Sequence, residues 1–266
     1  MATAALAAVA VLPGTAAAAP GDAQSSNWAG YAIADAATIG GAPVSGSATA
    51  LSFSSVTATW VQPRVTCTNG EPTYSAFWVG IGGFADDSGA LEQTGTQANC
   101  SSSGKATYSA WFELVPAPTV NVNLKIRPRD VITASVNLLP TGVLVQIKNR
   151  TRKTTFTKLL STPSSLDATS AEWIAEAPST CDMALTRCRA LPLANFGTVP
   201  FTRIAAIANG HGGTITDPMW SSIAIDLVPD LSSARFGSLG SLGSAKPGSL
   251  DPTGRAFSVA YSGSDS

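Results

Sequence analysis

The chain is poor in charge. Asp, Glu, Lys and Arg together make up 12% of its 266 residues, about half the usual ~25%. The signs nearly cancel, leaving a formal net charge of -1. A nucleic-acid partner would call for a marked basic excess, so none is expected. Lys125, Arg127, Arg129, Lys148, Arg150, Arg152 and Lys153 do cluster locally; they read as the solvated face of two strands. Histidine is almost absent. His211 is the only one, in Asn209-Gly210-His211-Gly212-Gly213, a turn-like composition. A histidine-rich metal centre is therefore excluded, and H-E-x-x-H does not occur. A Ser-His-Asp triad would have to use His211, and G-x-S-x-G is missing. There is no phosphate-binding loop of the G-x-x-x-x-G-K type. No metal and no cofactor is expected. The four cysteines, Cys67, Cys100, Cys181 and Cys188, contain no C-x-x-C, which argues against a zinc or thioredoxin-type site.

Long apolar runs are missing too. The nearest is Ala2–Leu12, about 11 residues against the ~20 a membrane helix needs. No membrane partner is expected. That run is followed by Pro13-Gly14 and the small residues Ala16 to Ala19, which is the pattern of an export signal, though without a basic start. Residues 1–19 are read as a signal peptide cut near Ala18 or Ala19, 20–26 as a short polar lead-in, and 27–266 as one secreted, extracellular domain. An even cysteine count behind an export signal favours disulfides. Three pairings are open; the short Cys181–Cys188 bridge is favoured, leaving Cys67–Cys100. A charge-poor chain also has few native ion pairs to lose in acid, which fits an acidic workplace.

What the chain has is strand signal. Short runs rich in Val, Ile, Thr, Trp, Tyr and Phe recur between Gly, Pro, Ser and Asn. They are expected over 56–65, 75–83, 91–96, 105–115, 120–127, 131–138, 143–148, 154–160, 172–176, 202–208, 221–227 and 256–261. In one, Val120, Val122, Leu124 and Ile126 alternate with Asn121, Asn123, Lys125 and Arg127, as in a half-buried antiparallel strand. No window keeps a helical period. Many short strands without helices make an all-β sandwich or barrel of one domain. Residues 232–254, rich in Gly, Ser and Leu, are expected to form a long surface loop.

Asp87-Ser88-Gly89 has the look of an aspartic-peptidase motif. Such sites need two aspartates sharing a proton, and no second copy exists. The stretch is read as a turn. The residues alone thus allow a lectin, a carbohydrate-binding module or a hydrolase.

Several ordered segments narrow this. Leu91-Glu92-Gln93-Thr94-Gly95 resembles the L-Q-T-G segment that carries the catalytic glutamine of the glutamic peptidases, or eqolisins, with one residue different before the glutamine. Ser26-Asn27-Trp28-Ala29-Gly30, Trp78-Val79-Gly80-Ile81 and Tyr108-Ser109-Ala110-Trp111-Phe112-Glu113 resemble further family segments in the family's order. Ala171-Glu172-Trp173-Ile174 resembles the strand bearing the catalytic glutamate. The resemblance runs from about Ser26 to Thr202.

It implies an antiparallel β-sandwich of two large bent sheets (concanavalin-like), with the site on a concave face. It implies an acid endopeptidase acting on polypeptide substrates; the chain is expected to be a monomer. In this chain Glu172 would be the general base toward water, and Gln93 would orient that water and donate to the oxyanion. Trp28, Trp78, Trp111 and Glu113 would contact substrate. Two departures stand out: Gly82 and Gln97 occupy positions where many relatives carry Asp. A carbohydrate-binding module using the tryptophans, or a family member without catalysis, remains as an alternative.

Overall fold

The computed structural model describes residues 21–36, 38–39, 50–85, 88–163, 165–181, 188–228 and 243–263. The expected signal peptide lies outside them. Among the described residues the regular structure is all strand. In chain order the strands are β1 (Gly21–Ser25), β2 (Trp28–Ala34), β3 (Phe53–Val61), β4 (Ala76–Ile81), β5 (Leu91–Cys100) and β6 (Ala106–Val115). There follow β7 (Val120–Val122), β8 (Val131–Leu139), β9 (Gly142–Asn149), β10 (Thr154–Leu160), β11 (Ser170–Glu176) and β12 (Ser179–Cys181). The last six are β13 (Cys188–Ala190), β14 (Thr198–Ala208), β15 (His211–Gly213), β16 (Ser221–Leu227), β17 (Ser244–Pro247) and β18 (Phe257–Ser262).

Sixteen strands form one hydrogen-bonded sheet, ordered β10-β9-β8-β3-β14-β18-β17-β16-β2-β11-β4-β5-β6-β7 with β1 on β16 and β15 on β14. The path is continuous, and it doubles back so that β4 and β5 lie against β8. Period-two burial explains the packing. In β8 and β9, Ile132, Ala134, Val136, Val143, Val145 and Ile147 point inward while Thr133, Ser135 and Lys148 face out. The inner faces enclose the main core, with Trp60, Trp173, Phe77 and Phe201 among its largest side chains. β4 and β11 are buried on both faces. Their second face carries a smaller apolar cluster that includes Trp78, Leu91, Trp111, Ile174 and Ile223.

Three expectations change. Within the expected 20–26 lead-in, Gly21–Ser25 is strand β1, paired in parallel with β16 from Gly21↔Ile223 to Ser25↔Leu227. Its polar composition hid it, because only Ala23 packs inward. The 120–127 run keeps its alternation only from Asn121 on, with Leu124 and Ile126 buried and Val120 exposed, and its ladder to β6 ends at Val122. Within 232–254, residues 244–247 are strand β17 rather than loop, and 232–242 lie outside the described residues. Cys67 and Cys100 form a disulfide. The ladder sets Cys181 opposite Cys188, while their side chains, and so that expected bridge, lie outside the description.

Candidate active site

The two-sided strands β11 and β4, with β2, β5 and β6 beside them, put one row of residues in register across the sheet. Ala32 faces Glu172, Glu172 faces Gly80, Gly80 faces Gln93, and Gln93 faces Glu113. Residues directly opposite in a ladder share a face, so Glu172, Gln93 and Glu113 project on the same side. Two strand spacings, about 10 Å, separate the backbones of Glu172 and Gln93. The residue between them is glycine. A Cβ on Gly80 would lie 2.9 Å from Leu91 Cδ1, 2.9 Å from Trp78 Cζ3 and 3.3 Å from Gln93 Cβ.

Gln93 and Glu113 are joined. Gln93 Nε2 donates to Glu113 Oε2 at 2.7 Å, and Thr119 Oγ1 donates to Glu113 Oε1 at 2.5 Å. Gln93 Oε1 is buried without a partner. Glu172 is fully buried and neither carboxylate oxygen has a hydrogen-bond partner. Desolvation pushes its pKa well above the ordinary value. Ser170, two residues along the same face, works against this, and the charges of Asp167 and Glu92 add to it. The two side chains of Ser170 and Glu172 are nevertheless outside hydrogen-bonding geometry.

A cleft of about 640 Å³ opens beside this row, lined by Gln93, Glu113, Trp28, Trp111, Glu176 and the Pro116–Thr119 turn among others. Glu172 and Trp78 do not line it. Trp78 is buried behind Trp28, edge to face at 5.0 Å between ring centroids, and its Nε1 donates to Glu176 Oε2 at 2.7 Å. Of the residues expected at the site, Gln93, Trp28, Trp111 and Glu113 therefore meet at the cleft; Glu172 lies on the same sheet face outside its lining, and Trp78 supports the wall. Trp111 Nε1 is buried and unpartnered.

Glu176 and Asp167, which the sequence reading missed, and Gln97, which it noted as a departure from the family pattern, complete the site. Glu176 shares parity with Glu172 on β11; that spacing alone could have found it. Burial raises its pKa to about 7, with the charge of Glu113 acting in the same direction. Gln97 lines the cleft and donates to Ser109 Oγ at 2.6 Å. Asp167, just before β11, accepts from Ser88 Oγ at 2.5 Å and from the Gly83 amide at 3.1 Å. It explains Gly82: with φ 84, a Cβ there would sit 2.5 Å from the Asp167 carbonyl oxygen and 2.8 Å from its Cβ. Asp167 brings a carboxylate to the segment where Gly82 supplies none. Burial alone would raise its own pKa, but hydrogen bonds from Ser88 and Thr169 outweigh that and hold it below the ordinary carboxylate value. Ser88 thus serves a turn bound to Asp167; Asp87 lies outside the described residues. His211 sits on β15 after the tight turn at Asn209-Gly210 and bonds Asp217 at 3.0 Å, apart from the cleft lining. The described residues hold no group of three or more His, Cys, Asp or Glu able to bind a metal.

An all-β chain with a glutamine, a buried glutamate and a second carboxylate in register around a tryptophan-walled cleft has the makings of a hydrolase site. Residues 26–226 match the model of the Peptidase A4 family, and the chain belongs to that family: it is a glutamic-type peptide hydrolase. The fold is similar to scytalido-glutamic peptidase bound to a peptide-based transition-state analogue, at 24% identity and TM-score 0.65, covering 89% of this chain and 98% of that one. It is similar to SCP-B, an eqolisin in complex with the tripeptide Ala-Ile-His, at 24% identity, TM-score 0.63 and the same coverages. Aspergilloglutamic peptidase from Aspergillus niger matches at 24% identity and TM-score 0.55, over 71% of this chain and 99% of its own. No curated protein sequence matches the chain.

Proposed function

We propose that the chain is a secreted acid endopeptidase that hydrolyses polypeptides by direct attack of water, with Glu172 and Gln93 as its catalytic pair. The row Glu172–Gly80–Gln93–Glu113 carries this reading. As carboxylate, Glu172 takes a proton from the attacking water. The free Gln93 Oε1 accepts the water's other hydrogen, and its Nε2, which has a second N–H besides the one given to Glu113, donates to the developing oxyanion. Glu172 then returns the proton to the leaving amine, and the acid and amine products depart with atoms and charge in balance. Glu113 holds the Gln93 amide in the orientation this requires. Trp28 and Trp111 wall the cleft for the substrate chain.

The test is digestion of a denatured protein between strongly acidic and neutral pH, with and without a pepstatin-type inhibitor. Cleavage confined to acid, insensitive to the inhibitor and reduced at least about a thousandfold in Glu172→Gln and Gln93→Ala is the expected result. Folded wild type that cleaves nothing at any pH overturns the reading.

A further inference from the structure

The basic residues that the active site leaves unused are concentrated on one stretch. Residues 121–160 hold eight cations and a single acid, Asp130; the rest of the chain holds eight cations and sixteen acids. The chain is thus divided into a +7 segment and a -8 remainder, an asymmetry of the kind that marks an anionic partner. The structure gathers this charge at two neighbouring turns. Asp130 Oδ2 accepts from the Arg127 amide at 2.9 Å, from Asn149 Nδ2 at 2.8 Å and from Arg152 Nε at 2.8 Å. Asn149 Nδ2 also donates to the Lys125 carbonyl at 3.1 Å, and the Arg150 amide donates to the Val131 carbonyl at 2.8 Å. One buried carboxylate therefore binds the 125–130 turn to the 149–153 turn.

Asp130 neutralises little of the patch. Among the described residues its ion pair with Arg152 is the only one in the cluster. Lys125, Arg127, Arg129, Arg150 and Lys153 are exposed. Arg129 and Lys153 adopt left-handed backbone, with φ of 70 and 56, a conformation disfavoured for residues with a Cβ and held only when the surroundings impose it. A solvated face needs neither this crowding of like charge nor a buried carboxylate organising it.

We propose that these two turns form a docking surface for a linear anionic polysaccharide bearing sulfate esters. Arginine forks match sulfate oxygens in pairs, and lysine adds point charge. Sulfate esters stay ionised in acid, where carboxylates lose their charge. Nucleic acid is disfavoured because single-strand binders stack bases on exposed aromatic rings, whereas Phe156, the ring on the neighbouring strand β10, stacks on Phe112 in the core contacts. The surface would hold the enzyme on an anionic matrix and leave the cleft free.

The test is binding of the full chain to dextran sulfate and to uncharged dextran at pH 5 and pH 7 over a salt series, with single-stranded DNA and phosphatidylserine vesicles as competitors. Salt-sensitive binding to dextran sulfate alone is expected at both pH values. Lys125→Glu with Arg150→Glu should weaken it at least about tenfold, and Lys105→Glu with Arg255→Glu, the same charge change elsewhere, should not. If the first pair melts early, Lys125→Gln with Arg150→Gln replaces it and should weaken binding in the same direction. Absence of binding, equal loss in both double variants, or tighter binding of DNA or vesicles overturns the proposal.

Discussion

Glu172 is asked to act as a base from a place that opposes its ionisation. Burial raises its pKa, and the Asp167 charge raises it further. A base works only when ionised, so the acidic limb of kcat/KM should lie above the ~4.3 of a free glutamate. Asp167→Asn removes one raising charge while keeping the side chain's shape and its acceptor toward Ser88. The limb should then move to lower pH, with kcat on the plateau close to wild type. A pH profile of kcat/KM for both enzymes measures this. A limb that stays in place, or moves upward, would show that Asp167 only braces the Gly82–Gly83 turn.

At the scale of the element, β5 carries Gln93 at one end and Cys100 at the other. Its disulfide to Cys67 closes a separation of 33 residues beside the Thr73↔Cys100 bridge. On loop entropy such a link stabilises the fold by roughly 3–4 kcal/mol. Cys67→Ser with Cys100→Ser should lower the unfolding free energy by about that amount in urea titration, since the cross-link constrains mainly the unfolded chain. A loss below ~1 kcal/mol would mean the surrounding bridges already hold this corner. The same strand shows what the sequence made legible. Turn residues located both ends of β10 and β16 and the start of β5, but the expected 91–96 stops four residues short of Cys100, because the stretch Gln97–Asn99 is strand only through its ladder to β6. β1 and β17 escaped because their polar residues qualify as strand only through hydrogen bonds to partners distant in sequence. At the site, Gln93, Glu113 and Trp111 were legible as motif residues. Glu176 and Asp167 were not: Glu176 matters through the Trp78 and Asn27 donors that reach it, and Asp167 through its approach to Gly82 and Gly83. The parity of Glu176 with Glu172 was a signal in the local sequence that went unused, whereas the approach of Asp167 to Gly82 and Gly83 leaves no such mark.

For the whole molecule, the buried carboxyls set a direction of pH response. Glu92, beside Gln93 but on the opposite face, is fully buried among the main-core strands with both oxygens unpartnered. Burial raises its pKa from 4.5 to about 8, and Asp167 adds to this. Below about pH 4.5 both folded and unfolded chains hold that proton, and the fold is not penalised. Between there and pH 8 the unfolded chain ionises while the folded one does not. Stability therefore falls as pH rises, by about 1.4 kcal/mol per unit, or on the order of 5 kcal/mol in all. Glu176, raised to about 7, and Glu172 pull the same way. Asp130 and Asp167 pull oppositely at the acid end. Their pKa values are lowered because hydrogen bonds outweigh burial, so their contribution is present above the unfolded value and lost as pH falls through the folded one. The stability maximum should consequently lie in mild acid. Glu92→Gln keeps the shape without the titration, and should flatten the decline toward pH 8 while leaving the acid side as it was. Unfolding free energies of both proteins across pH 3–8 measure this. An unchanged slope in the variant would place the alkaline sensitivity in Glu172 and Glu176 instead, tying the loss of stability to the same carboxyls that line or underlie the cleft.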